Sequence, residues 1–191
     1  HCIDDRGLRF TVMMSLANKA GEHTNVVYGG FVRKQIKDVV FHCWSFIDDY
    51  EFVQNHIYQL NKDILKEPDL KHVLLFHFPT SNAMLDNGMP SSRGLLLDKE
   101  TCGNFDWVLG GDYHTPQQLK GTDNAFYIGA PFAFNFGECE ERGYAILVTD
   151  ENKLERYQNP FDWSMKITDP HKGLPEPDLN TIVRVDSCDP E

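Results

Sequence analysis

Positive charge is in short supply. Lys and Arg total 18 against 29 Asp and Glu, a formal net charge of -11. That excludes a free-standing, charge-driven DNA binder, which needs cationic surface to displace counterions from phosphate. It also excludes a polybasic membrane binder. It leaves open an enzyme that handles phosphate esters through bound metal ions, because such ions bring their own positive charge. Long apolar runs are missing too. The longest are a few residues, far short of the ~20 that span a bilayer, and no charged-then-apolar leader opens the chain. No membrane partner is expected, and a cytoplasmic location is. Cysteine is sparse and unpatterned. Cys2, Cys43, Cys102, Cys139 and Cys188 are odd in number, widely spaced and without a CxxC pair. A disulfide framework or zinc ribbon is therefore not expected, and a reducing compartment is. No GxxxxGK[ST] loop and no GxSxG elbow occurs, which disfavours a P-loop ATPase and an α/β-hydrolase.

What is present suffices for one domain. Hydrophobic residues make up 41% of 191, enough to bury a core. The spacing of Leu8, Phe10, Val12, Met13, Leu16 and Ala17 predicts an amphipathic helix over 7–20. Residues 31–36 and 39–44 read as a hairpin around Lys37-Asp38. Asp48-Asp49 can cap a helix over 50–66 with Phe52, Val53, Ile57, Leu60, Ile64 and Leu65 on one face. Continuous apolar strands follow at 72–77 and 105–109, a shorter one at 125–128, and a hairpin at 144–149 and 154–158. One short helix is expected near 93–99. Five of the ten prolines lie at 160 or beyond. The last stretch, 166–191, reads as an acidic, Pro-rich linker or the start of a following domain, with 181–185 as one isolated strand. Strands alternating with helices and then hairpins predict a layered α/β domain.

Two strand ends carry candidate chemistry. His77 closes the apolar run that starts at Val73. Asp112 and His114 follow the strand 105–109 across Gly110-Gly111. Ligands of open α/β sheets collect at the carboxyl ends of strands. Gly110-Gly111 would let the backbone turn and bring both side chains inward. Imidazole with carboxylate suits Mn, Fe or Zn. Other residues weigh less. Strand alternation sends His42 and Cys43 to opposite faces, so they form no metal pair. His72 at a strand start reads as a surface residue. His23, His56 and His171 carry no role. Ser81 and Asn82 read as turn residues, and Asp106 as a structural contact.

The wording around these strand ends resembles a known family. His72 to Pro79, HVLLFHFP, resembles the fourth signature of the calcineurin-like metallophosphoesterase superfamily, a hydrophobic strand ending in a metal-binding His. Phe105 to Gln117, FDWVLGGDYHTPQ, resembles the fifth, a strand followed by Gly-His-x-His. Asn124 to Tyr144, NAFYIGAPFAFNFGECEERGY, is similar to the continuation in one branch: the nuclease subunit that pairs with an SMC-type ATPase in DNA-end processing, in bacteria and phages. The resemblance covers 1–165 in order and is specific from 72 to 149.

It implies a layered sandwich of mixed β-sheets flanked by helices, and two divalent metal ions, Mn foremost with Fe, Zn or Mg as alternatives. In the family the pair sits about 3.5–4 Å apart and activates a water for in-line attack on phosphorus. Carried over, His77 and Asp112 bind one metal and His114 the other. Spacing sets His1 as the His of the third signature, a catalytic acid or phosphate-orienting group. Tyr113, between the ligands, either contacts substrate or packs. Glu138 and Arg142 support the site. The implied partners are DNA ends, an SMC-type ATPase and a second copy of the chain.

The departures are specific. The first two signatures and the Asn of the third do not occur in the chain, and Asp112 stands where the family has His. The chain opens at His1 without Met, so a fragment or processed product lacking the domain's N-terminal strands is expected. Two alternatives to a nuclease follow: a small-molecule phosphatase or phosphodiesterase of the same superfamily, and a non-catalytic scaffold that only binds a partner.

Overall fold

The computed structural model describes residues 30–85, 88–134 and 142–160 in full, together with the backbone of four outlying strands. The first two, β1 (Cys2–Ile3) and β2 (Arg9–Phe10), pair antiparallel. Arg9 and Phe10 are thus extended rather than helical; the rest of the expected helix over 7–20 lies outside the described residues. Next come β3 (Phe31–Ile36) and β4 (Val39–Trp44), the expected hairpin, with Lys37 at φ 55° in its turn.

Helix α1 (Tyr50–Asp63) runs into a 3-10 turn at Ile64–Lys66. Its cap is Asp49, whose carboxylate accepts from the Phe52 amide at 3.0 Å and so satisfies one of the orphan N–H groups of the first turn. Its buried face is narrower than the apolar pattern predicts. Val53, Ile57 and Ile64 are buried, while Phe52 and Leu65 face solvent. Asn61 replaces them as an anchor, donating to the Glu100 carbonyl at 2.9 Å and accepting from the Asn104 amide at 2.8 Å. A polar residue thus holds a buried position because both of its amide groups are paired.

Strand β5 (Lys71–His77) follows, then a long loop, then the short helix α2 (Lys99–Cys102), capped by Asp98. The helix expected over 93–99 is displaced onto this capping signal. Strand β6 (Trp107–Gly111) begins two residues later than the apolar run suggests, because the Asp106 carboxylate is engaged by the His72 amide at 2.6 Å. The short β7 (Gln117–Gln118) has no apolar pattern to announce it. It is followed by β8 (Ala125–Tyr127), the hairpin β9 (Gly143–Val148) and β10 (Lys153–Gln158), then β11 (Ser164–Thr168) and β12 (Thr181–Val185). The last is not isolated, since it pairs in parallel with β11.

Six strands form one mixed sheet in the order β3-β4-β5-β6-β8-β7. The four central strands run parallel. Parallel register sends alternate residues of neighbouring strands to the same side. Val40, His42, Trp44, His72, Leu74, Phe76, Val108, Ala125 and Tyr127 share one face, and all are buried against α1, α2 and the loops. The opposite face is half-buried. Hairpin β9–β10 lies along it, with Ala145, Leu147 and Leu154 facing Leu75, Leu109 and Ile128 across a cleft of about 410 Å³. The hairpin is tied down at both ends. Lys71 donates to the Thr149 carbonyl and Trp107 Nε1 to Asn152 at 2.6 Å, while Asn159 bonds the carbonyls of Arg142 and Pro131. Among the described residues no helix is long and apolar enough to cross a membrane. The class is α/β, a mixed sheet with helices.

Candidate functional site at the strand ends

The parallel ladder decides which sequence-predicted residues meet. His77 is the last residue of β5 and pairs with Gly111, the last residue of β6. Asp112 follows at once, and His114 two residues on. The carboxyl ends of two neighbouring strands therefore present two imidazoles and a carboxylate to one rim.

The glycines there act differently from expectation. Gly110 and Gly111 both lie in β6, in ordinary extended backbone. What each supplies is room. A Cβ on Gly110 would lie 2.3 Å from the Phe76 ring on the buried face, and one on Gly111 would lie 2.6 Å from His77 Nδ1 on the other. The His77 ring rests over Gly111 because no side chain is there. The turn itself is made by Asp112, at φ 106°. This backbone region favours glycine and costs a non-glycine residue on the order of 1–3 kcal/mol. A carboxylate sits where the local backbone would prefer Gly.

Tyr113 points inward. Its ring meets Tyr127 edge-on at 4.7 Å and its hydroxyl donates to Ser91 Oγ at 2.8 Å. His114 is held by its backbone. Its carbonyl accepts from the Ala130 amide at 2.9 Å and from the guanidinium of the fully buried Arg142. Gly129, at φ 82°, packs so close that a Cβ would lie 3.0 Å from that same carbonyl. Arg142 thus fixes the main chain at His114. His1 and Glu138 lie outside the described residues.

The three polar groups sense one another. Partial burial lowers the His77 pKa, Asp112 opposes this, and His114 adds to it. Burial raises the Asp112 carboxyl, and both imidazoles pull it back. Two imidazoles and a carboxylate have the donor chemistry of a divalent-cation site. Closure is another matter: among the described residues no three of His, Cys, Asp and Glu converge as a metal ion requires. His77, Asp112 and His114 are spread along one rim.

Sequence reasoning missed two contributors. Phe134 lies against His114 with ring centroids 5.0 Å apart and planes tilted by 40°, and remains 61% exposed; nothing local in the apolar PFAF segment (131–134) announces this. Gln117 clamps the loop after β5, accepting from the Met84 amide at 2.7 Å and donating to its carbonyl at 2.9 Å. Asn82 and Asp106 take the structural parts expected of them. Asn82 donates to the carbonyls of Leu97 and Lys120, and Asp106 anchors β5. His72 contradicts its reading as a surface residue. It is 3% exposed, because α1 and the following turn roof over the start of β5.

No family model matches the chain. Over 140 residues it is 26% identical to the uncharacterized protein R555 of Acanthamoeba polyphaga mimivirus, an overlap of 71% of this chain and 10% of that protein. The chain matches about a tenth of this relative's length.

Proposed function

We propose that this chain is the later part of a metallophosphoesterase domain, in which a metal-supported site hydrolyses phosphodiesters of DNA, as in the nuclease subunits that work with an SMC-type ATPase. The observation that carries the reading is the placement of His77, Asp112 and His114 along one rim at the ends of neighbouring parallel strands, with Asp112 in a backbone conformation that favours glycine. Strain at such a position is retained where the side chain has work to do. The order of motifs along 72–149 supports the same reading. So does Phe134, since an exposed ring beside a phosphate-handling group offers a base a stacking face worth about 1–3 kcal/mol.

Divalent metal, Mn foremost, would supply a lowered water pKa and positive charge against the developing phosphorane. The residues of this chain contribute three donors, one rigid backbone anchor through Arg142, and an aromatic edge. Three donors are too few for a two-metal centre, so a complete centre would need further ligands, a bridging carboxylate among them, beyond these three side chains. The net charge of -11 assigns most DNA contacts to a partner.

Calorimetric titration with Mn²⁺ tests this. The chain is expected to bind weakly, Asp112→His to bind more tightly, and His77→Ala to lose binding. The 191 residues alone are expected to cleave DNA ends and nucleotide monoesters negligibly. Whatever activity is measured should favour DNA ends. Preference for monoesters would move the reading to a small-molecule phosphatase. Binding that is indifferent to both substitutions would leave a scaffold.

A further inference from the structure

A second polar cluster lies at the opposite end of β5, inside the core. His42 on β4 and His72 on β5 are 1% and 3% exposed. Their rings touch through His42 Nε2 and His72 Nδ1 at 3.0 Å. Among the described residues the polar group facing the far nitrogen of His72 is the Glu67 carboxylate, 3.6 Å from Nε2, and Glu67 is itself held by Arg33 of β3 at 2.7 Å. Aromatic rings enclose the rest. Phe105 meets His42 edge-on at 5.5 Å and Phe31 stacks on it at 6.2 Å. Among the described residues neither His42 Nδ1 nor His72 Nε2 has a hydrogen-bond partner.

These contacts fix the protons. If His72 carried its proton on Nδ1, its Nε2 lone pair would face the Glu67 carboxylate, and His42 would bury an unpaired Nδ1–H donor. If instead His42 Nε2–H donates to His72 Nδ1, then His72 Nε2–H faces the Glu67 carboxylate at ion-pair distance, 3.6 Å, and His42 Nδ1 keeps a lone pair without a partner. The second arrangement turns its one unbonded donor toward a carboxylate and leaves an acceptor rather than a donor unpaired on His42. It also has no room for more. A further proton must either reverse the bond and bury an unpaired N–H, or place a cation on His42 Nδ1 among rings. A buried donor or charge without a partner is costly.

We propose that the His42–His72 pair is an acid-sensitive clasp: it joins β4 to β5 while both rings are neutral, and uptake of a proton expels it and loosens the β3–β4 edge of the sheet. The surrounding charges agree. Burial first, then His72, Arg33 and His56 of α1 oppose a charge on His42, with Glu67 alone favouring it, and they hold its pKa at about 4 against an ordinary 6.5. Asp106, the other acid beside the pair, is engaged by the His72 backbone amide. A folded pKa below the unfolded one means the unfolded chain takes up the proton first. The clasp therefore holds in full above pH 6.5 and weakens as pH falls from 6.5 toward 4. Each proton taken up raises the opening constant by up to about tenfold per pH unit.

Hydrogen exchange on the full chain, corrected for intrinsic rates, reads this directly. Between pH 7 and pH 5 the β4 amides should lose about tenfold or more of protection relative to those of β6, and the double variant His42→Leu/His72→Leu should show no such difference. An equal pH response of β4 and β6 in the parent would overturn the clasp, as would a response that persists in the double variant. A second measurement needs no variant. In a ring-nitrogen NMR titration of the native protein His42 should stay neutral through pH 6, whereas titration near 6.5 would refute the proposal.

Discussion

At the scale of single residues, two neighbours at the end of β6 have opposite conformational needs. Gly111 is glycine because the His77 ring occupies the place of its Cβ, and Asp112 is Asp although its φ of 106° favours glycine. Their substitutions should therefore move stability in opposite directions. Gly111→Ala must displace the His77 ring and is expected to cost about 1–3 kcal/mol. Asp112→Gly removes backbone strain and a half-buried carboxylate, and is expected to gain about 1 kcal/mol after the entropy of the added glycine is counted. Urea unfolding of the two variants beside the parent measures both. The positions of His77, Asp112 and His114 at strand ends were legible because a continuous apolar run marks a buried parallel strand whatever its neighbours. The division of labour between Gly110-Gly111 and Asp112 was not, since it depends on Phe76 and His77, which reach the glycines only across the ladder.

Elements in this chain start where a side chain captures backbone, and sequence reading succeeded where that signal is local. Asp49 caps α1 three residues ahead of the amide it binds. Asp49→Ala should cost about 1 kcal/mol and Asp49→Asn only a few tenths, seen as a shift in the thermal midpoint. The reading slipped where capture is remote. Strand β6 starts at Trp107 because Asp106 is engaged by His72, far earlier in the chain. The inward face of α1 narrows because Asn61 finds partners in the segment 100–104. His72 was misplaced for the same reason: a strand's first residue is exposed only if nothing covers it, and the covering elements come from α1 and the turn after it. Strand β7, two glutamines long, has no apolar signature at all.

For the molecule as a whole, one face of the six-stranded sheet is sealed and the other is half-open. Cys102 belongs to the sealed side. Burial, and then Asp98 nearby, push its thiol up to about 12, and its Sγ lies 3.2 Å from the Asp98 carbonyl. Alkylation of Cys102, followed on its own peptide by mass spectrometry, should therefore wait for global unfolding and be slowed by about 10³-fold or more relative to the denatured chain. Cys43, on the half-open face, should react sooner. The α/β class was legible from the alternation of apolar runs, but the pairing of β11 with β12 was not, because nothing local in 164–168 or 181–185 names a partner.

The register that sets His77 beside Gly111 also orders events in time. Those two residues belong to strands joined only through the whole segment 78–106, so their ladder must close a long loop before it gains a hydrogen bond. A nascent chain, or one nicked within that segment, holds His77 without a fixed neighbour at Asp112 or His114. A ligand that needs both imidazoles can therefore engage only a chain whose central sheet has closed, which makes occupancy of the rim a report on the folding of that sheet.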